Sequence, residues 1–204
     1  MSTGLDKLLQ SNPILWRGRD NGTLRAGIET GFVALNAALP GGGWPIGALT
    51  EILSEEPGIG ELCLLMPALA RLGCEDRRQA WIAPPFTPYA PALIAAGVNL
   101  SSTLFVRPER ATDTLWAAEK TLRSGVCSAV LTWPKTSEFR ALRRLQLAAE
   151  HGNCWGVVFR AAHFANHPSP AALRLRLHAL DDGLRIDVLK ARGGCHCQSV
   201  NLTL

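Results

Sequence analysis

The stretch between residues 47 and 65 has the residue order of a phosphate-binding loop. An apolar segment typical of a buried strand comes first, turn-forming residues follow at 54–60, and leucines then recur at helical spacing. In a working loop of this kind, backbone N–H groups surround the phosphates, a lysine reaches them, and a Ser or Thr hydroxyl holds Mg²⁺. The pattern therefore predicts a strand, a glycine-rich loop and a helix.

The side chains that phosphate chemistry requires are missing from this loop. Glu61 stands where the lysine is needed, and Leu62 stands where the hydroxyl is needed. Two unit charges ~4 Å apart at an effective dielectric constant of ~20 interact by roughly 4 kcal/mol, so a carboxylate here should repel phosphate. We therefore expect no cofactor, no catalytic residues and no ATP hydrolysis. The degenerate nucleotide loop comprises Glu55, Glu56, Gly58, Gly60, Glu61 and Leu62.

Length and composition indicate an α/β protein with one main domain. The chain has 204 residues and a formal net charge of +4, and no segment reaches the ~18 consecutive apolar residues of a membrane helix. The first residues lack a basic region followed by an apolar one, so we expect no signal peptide, no membrane partner and a cytoplasmic location. Most of the six cysteines stand singly in apolar segments, which is typical of reduced, buried thiols.

One cluster has residue types that can bind a metal. It is Cys195-His196-Cys197, and two cysteines with a histidine could begin a zinc site. No second pair of cysteines or histidines at the usual spacing accompanies it, so we predict no metal site and favour a flexible glycine-rich turn. Whether Cys195, His196 and Cys197 bind a metal stays open at this point.

Apolar and amphipathic segments alternate through most of the chain. The strand-like segments are 48–53, 79–83, 103–106, 129–133 and 156–159. The helical segments are 61–72, 89–96, 113–123 and 137–150. This alternation predicts a mostly parallel sheet with helices on both faces. Residues 173–180 and 184–189 alternate apolar and polar positions around a turn, and residues 200–204 follow, which predicts an antiparallel C-terminal meander.

Residues 1–27 differ from the rest and are predicted to form an N-terminal arm and linker before a domain at 28–204. A short apolar arm of this kind cannot fold alone. It therefore either packs on its own domain or docks on a partner. The apolar residues predicted to bind a partner are Leu5, Leu8, Leu9, Ile14 and Trp16.

Three arginines form the most concentrated basic cluster. Arg140 lies three and four positions before Arg143 and Arg144, so all three can share one face of a helix. Such a face could contact DNA phosphate or an acidic partner. A solvated helix face is the alternative interpretation.

Several strings resemble the RecA core, including Thr30-Gly31-Phe-Val-Ala-Leu35 and Gly97-Val98-Asn99-Leu100. More specifically, the chain resembles ImuA, the RecA-like family associated with translesion synthesis, and more distantly SulA, the division inhibitor. The strings that carry this resemblance include Pro57-Gly-Ile-Gly-Glu-Leu62, Met66-Pro-Ala-Leu-Ala-Arg-Leu72 and Trp81-Ile-Ala-Pro-Pro85. The resemblance implies an α/β fold with a RecA-like core.

The resemblance to ImuA implies a non-catalytic accessory protein in DNA-damage-induced translesion synthesis, the SOS mutagenesis response. It implies protein contacts with a Y-family-like polymerase subunit, an error-prone replicative-type polymerase and RecA. A weak contact with DNA is expected only through Arg140, Arg143 and Arg144. The more distant resemblance leaves a SulA-like cell division inhibitor that binds FtsZ as the alternative. An active ATPase is disfavoured, because Leu131-Thr132-Trp133 lacks the metal-binding acid that such an enzyme needs after this strand.

Overall fold

The computed structural model describes residues 26–74, 77–135, 138–193 and 198–204. The strands are β1 (Ala48–Ser54), β2 (Arg78–Ile82), β3 (Thr103–Val106), β4 (Cys127–Thr132), β5 (Trp155–Ala161), β6 (Leu173–Leu180), β7 (Gly183–Ala191) and β8 (Ser199–Thr203). The helices are α1 (Val33–Ala38), α2 (Glu61–Leu72), α3 (Ala90–Ala95), α4 (Ala111–Arg123) and α5 (Phe139–Gly152). Short 3₁₀ turns lie at Pro40–Gly42, Leu100–Ser102 and Ala162–Asn166.

All eight strands form one sheet in the order β3-β2-β4-β5-β1-β6-β7-β8. The pairings from β3 to β6 in this order are parallel, and β6-β7 and β7-β8 are antiparallel. The central strands β4, β5 and β1 are buried along almost their whole length and are mostly apolar, because both of their faces are covered. In β6 the residues Leu173, Leu175 and Leu177 face the core, and the intervening residues face the opposite side.

Two apolar cores lie on opposite faces of the sheet. Leu49 of β1 packs in one core with α4 and α5, whereas Ile52 of the same strand packs in the other core with α2. An odd number of positions separates these two residues, as the two-residue period of a strand requires. The carboxyl ends of the parallel strands therefore meet at one edge of this layered structure, where the loop after β1 also lies.

The predicted RecA-like fold class is wrong. The mixed eight-stranded sheet and the small number of helices are not those of a RecA-like core, although the predicted antiparallel C-terminal meander is present as β6, β7 and β8. Helices are few, and two of the five in the described residues have only 6 residues each. The strings that suggested RecA lie in turns and short segments. Such strings determine local backbone geometry, but they do not determine how the whole set of strands pairs.

Within the described part of the chain, no helix is both long enough and apolar enough to cross a membrane.

Candidate functional site

The degenerate loop connects β1 to α2, as the sequence predicts. Gly58 has a φ of 91° and Gly60 a φ of 109°, a left-handed backbone that favours glycine. Gly60 caps the helix, and Glu61 is the first residue of α2. The loop therefore presents backbone N–H groups at a helix N-terminus, the arrangement that usually receives an anion.

A side chain of the protein itself occupies this loop. The Gly58 N–H donates to Oε1 of Glu61 at 2.8 Å, and Glu61 is 5% exposed. The carboxylate thus takes a hydrogen bond that a phosphate oxygen would take in a nucleotide-binding loop. Its second oxygen, Oε2, is buried without a hydrogen-bond partner among the described residues. The loop holds an intramolecular anion and has a negative charge where a lysine would be needed.

The side chains of Leu204 and of Leu184 on β7 pack over the outer side of the loop. A Cβ atom placed on Gly60 would lie 2.7 Å from Cδ1 of Leu204 and 3.7 Å from Cδ1 of Leu184. Leu62 is half-buried against the same core. Apolar side chains therefore cover the turn at which a nucleotide would have to approach the backbone.

The two other acids of the loop point away from it. Glu55 and Glu56 are exposed, and Glu55 accepts a hydrogen bond from Nη2 of Arg176 on β6 at 2.9 Å. An exposed pair of this kind contributes about 0–1 kcal/mol to stability. Of the six loop residues predicted from the sequence, Glu55 and Glu56 are therefore exposed acids, and the other four belong to the turn and the start of α2.

A buried ionic cluster, which the sequence did not predict, lies across the three adjacent strands β5, β1 and β6. Glu51 of β1 pairs with Nη1 of Arg160 and with Nε of Arg174, the latter at 2.6 Å. All three side chains are buried. Arg174 also donates to the carbonyl oxygens of Phe164 at 2.9 Å and Ala165 at 3.3 Å.

This cluster fixes a backbone segment as well as the strands. The guanidinium carbon of Arg160 lies 3.8 Å from the centroid of the Phe164 ring, a cation–π contact. Arg174 and Arg160 therefore hold the turn Ala162–Asn166 over the sheet. Two guanidinium groups share one carboxylate, and the cluster is a structural clamp with no nucleophile or acid–base pair. A charged residue inside the apolar segment Ala48–Ser54 is the sequence signal that could have revealed it.

Aromatic side chains form a continuous row near the carboxyl ends of the parallel strands. Ring centroids are separated by 5.5 Å for Phe105–Trp81, 6.0 Å for Trp81–Trp133 and 4.4 Å for Trp133–Phe159. Phe105 is 43% exposed, so the row begins at the surface and ends in the core.

The exposed end of this row belongs to an apolar surface at the β3 edge of the sheet. Since β3 is the terminal strand, one side of its backbone has no neighbouring strand among the described residues. The chain between β2 and β3 also carries exposed apolar residues, in the loop after β2 and in α3. We call this region the edge surface; its exposed residues are Phe86, Tyr89, Ile94, Leu104 and Phe105. Apolar groups concentrated at an unpaired strand are typical of protein-binding surfaces.

The three predicted arginines Arg140, Arg143 and Arg144 lie together on α5 and are exposed. Arg144 pairs with Glu119 of the neighbouring helix α4. Arg140 and Arg143 have no ion pair with another described residue. The prediction of a shared basic face is therefore consistent with their placement, and contact with DNA or an acidic partner stays a prediction.

Two predicted groups lie outside the described residues. They are the arm residues Leu5, Leu8, Leu9, Ile14 and Trp16, and the cluster Cys195, His196 and Cys197. The division into an arm at 1–27 and a domain at 28–204 stays a prediction. Among the described residues, no group of three or more His, Cys, Asp or Glu side chains could hold a metal ion.

Comparison with known proteins identifies the family. The family model for the cell division inhibitor SulA matches residues 47–156. SulA of Serratia proteamaculans is 30% identical over 153 residues, which cover 74% of this chain and 90% of the relative. SulA of Yersinia enterocolitica is 30% identical over 134 residues, which cover 65% of this chain and 79% of the relative. The crystal structure of SulA from Pseudomonas aeruginosa is 28% identical, with a TM-score of 0.47 over 55% of this chain and 97% of that one.

These matches correct the functional prediction. Translesion synthesis, inferred from a resemblance to ImuA, is wrong, and so are the polymerase subunits and RecA as predicted partners. The more distant of the two resemblances is the correct one. The three strings named above for the ImuA resemblance lie in the loop, in α2 and in β2 with the loop that follows it, and these three fall inside the range matched by the SulA model. The chain therefore belongs to the family of the cell division inhibitor SulA.

Proposed function

We propose that this protein inhibits cell division by binding FtsZ and that it does so without catalysing a reaction. Membership of the SulA family carries the proposal, since the relatives have the name of a cell division inhibitor. The absence of catalysis is supported by Glu61 and Leu62 in the loop, and by Trp133 after β4 in place of an acid.

The edge surface is our candidate for the FtsZ-binding site. It combines the unpaired side of β3 with side chains that are largely apolar and well exposed, such as Phe86 at 68% and Tyr89 at 72%. Burying apolar surface stabilises a complex by roughly 25 cal/mol per Å², and exposed strand edges offer backbone hydrogen bonds as well. Aromatic side chains that are already held by neighbours lose little entropy when a partner covers them. Phe105 meets this condition through its edge contact with Trp81.

The mechanism that follows is steric. FtsZ subunits assemble into polymers, so a protein that covers one subunit surface withdraws that subunit from assembly. Inhibition of this type depends on the molar ratio of inhibitor to FtsZ and requires no turnover.

The direct test uses the purified full chain with FtsZ from the same organism. FtsZ polymers are sedimented in the presence of GTP, and the pelleted fraction is measured against increasing amounts of this protein. We expect the pelleted fraction and the GTPase rate to fall together and to reach a minimum near equimolar ratio. Unchanged assembly at a large molar excess would overturn the proposed function.

The assignment of the edge surface is tested separately. Phe86→Ser with Tyr89→Ser removes two exposed aromatic side chains without opening a cavity, so the fold should be retained. We expect this variant to lose most of its inhibition. The matched control is Val33→Ser with Val126→Ser, which removes two side chains exposed by 86% and 57% elsewhere on the surface. Equal inhibition by both double variants would place the FtsZ contact on another surface while leaving the function itself intact.

A further inference from the structure

The outer face of the helix pair α4 and α5 carries a second surface that the proposed function does not use. Its basic residues are exposed and come from both helices. We call this region the cationic helix face; its basic residues are Lys120, Arg123, Arg140, Arg143 and Arg144. The two helices pack against each other, and both follow strands of the parallel part of the sheet, so they run in the same direction.

Most of these charges have no internal role. Arg144 pairs with Glu119, but Lys120, Arg123, Arg140 and Arg143 make no side-chain hydrogen bond or ion pair with a described residue. The acids of the two helices are Asp113 and Glu119 on α4 and Glu150 on α5, and Glu138 directly precedes α5. Glu119 pairs with Arg144 and Glu150 pairs with Arg192, so the charges of this face that lack a partner among the described residues are mainly positive.

The ion pair between Arg144 and Glu119 shows that this face can bind a carboxylate. The Glu119 side chain is 14% exposed, and it is held between the two helices by the Arg144 guanidinium. A carboxylate thus already binds at this face within the protein. Arginine suits this role because its planar fork matches a carboxylate and binds it more tightly than a lysine does.

Exposed apolar side chains are interleaved with these charges. Trp116 on α4 is 59% exposed, and Phe139 and Leu147 on α5 are 45% and 48% exposed. Trp116 lies one turn before Glu119, and Arg140 lies one turn before Arg144, so both lie toward the same end of the helix pair. Tryptophan and arginine together are the residue types most enriched where proteins bind each other tightly.

We propose that the cationic helix face binds an acidic amphipathic segment of a protein partner. The carboxylates of this partner segment pair with Arg140 and Arg143, and the apolar side chains of the segment cover Trp116 and Leu147. A protein segment fits better than DNA because a phosphate backbone offers charge without apolar groups to cover Leu147 and Phe139. The proposal is independent of the FtsZ assignment, because the edge surface and this face involve different residues.

The experiment uses the full-length protein and a fluorescent peptide of alternating glutamate and leucine as the probe. Duplex DNA, single-stranded DNA and a peptide with glutamine in place of glutamate serve as comparison ligands. Fluorescence anisotropy measures binding at low and near-physiological salt. We expect the glutamate peptide to bind, the glutamine peptide to bind at least about tenfold more weakly, and salt to weaken the acidic complex.

Variants decide whether this face is responsible. Arg140→Glu with Arg143→Glu should weaken peptide binding by about tenfold or more, and Trp116→Ser should weaken it by a smaller factor. The matched control is Arg71→Glu with Arg185→Glu, which makes the same charge change at two exposed arginines on α2 and β7. Circular dichroism confirms that each variant is folded. Equal weakening by both double variants, or binding of DNA in preference to the acidic peptide, would overturn the proposal.

Discussion

The backbone N–H of Gly58 donates to the carboxylate of Glu61 at 2.8 Å, so a loop shaped for an anion binds an anion of its own chain. The two partners are three positions apart in the chain, and the left-handed backbone at Gly58 and Gly60 brings them together. The hydrogen bond stabilises the loop in the absence of any ligand. The same hydrogen bond explains how a glutamate is tolerated at position 61, where a phosphate-binding loop requires a lysine cation.

Restoring the missing side chains should not restore nucleotide binding. We expect Glu61→Lys with Leu62→Ser to bind no ATP, because Leu204 and Leu184 still cover Gly60 and no acid follows β4. Titration with a fluorescent ATP analogue and Mg²⁺ checks this. Glu61→Gln is the control, since it keeps an oxygen that can accept the Gly58 hydrogen bond. Micromolar binding by the double variant would show that the loop is open to ligands.

Removing the charge of Glu51 should destabilise the protein strongly. Glu51→Gln leaves the buried Arg160 and Arg174 without their shared carboxylate, and breaking a buried pair in this way costs about 3–5 kcal/mol. Denaturant unfolding measures the difference in the free energy of unfolding. Glu55→Gln disrupts only the exposed pair with Arg176 and should change stability by no more than about 0.5 kcal/mol. Similar decreases in the free energy of unfolding for both variants would contradict the role of Glu51 as a structural clamp.

Asp187 should contribute stability that depends on pH. The hydrogen bond from Ser199 at 2.6 Å lowers the pKa of Asp187, and further hydrogen bonds from Arg185 and His178 lower it as well. A carboxyl group with a lower pKa in the folded state stabilises the fold above its unfolded pKa of about 3.9. That stability is lost as the pH falls through the folded pKa.

Asp187→Asn should therefore be less stable than the native protein by about 1 kcal/mol at neutral pH. The difference should shrink below about pH 4, where the native carboxyl group also becomes protonated. Thermal or denaturant unfolding over a pH series measures it, with Ser199→Ala as a milder comparison. A deficit that is constant down to strongly acidic pH would show that Asp187 acts without its charge.

The four cysteines that the structure describes should react in two classes. Cys63 and Cys74 are exposed, whereas Cys127 and Cys154 are buried. Burial raises the pKa of Cys154 to about 12 and also raises the pKa of Cys127. Because the thiolate is the reactive form, an alkylating reagent at mildly alkaline pH should modify Cys63 and Cys74 first. Peptide mass spectrometry follows the order, and modification of Cys154 in the native protein as fast as Cys63 would contradict this burial.

The local structure was largely predictable, but the pairing of the strands was only partly so. Apolar segments predicted the position of β1 from residue 48 and of β3 from residue 103, and those positions are confirmed. The fold class was wrong because a glycine-rich loop between a strand and a helix occurs in more than one α/β family. Loop chemistry is local, whereas fold class depends on contacts between distant segments.

The functional surfaces were harder to predict than the loop. The misplaced charge of Glu61 is visible in the sequence, but its bond to Gly58 requires the left-handed glycine backbone. Arg174 alternates with apolar residues and therefore suggests an exposed position, yet it is buried by its pair with Glu51. Tryptophan residues show the same limit, since Trp116 is exposed and Trp44 is fully buried. Residue type alone does not distinguish them.

The position of β1 in the sheet has a consequence for synthesis on the ribosome. Among the described strands β1 is the first to emerge, but it lies between β5 and β6, and its parallel partner in β5 is about 100 residues downstream. At translation rates of about 5–20 residues per second, the central strand waits roughly 5–20 s for its neighbours. Its apolar side chains are exposed during that interval. The nascent chain is therefore an available substrate for chaperones and proteases before the sheet can close.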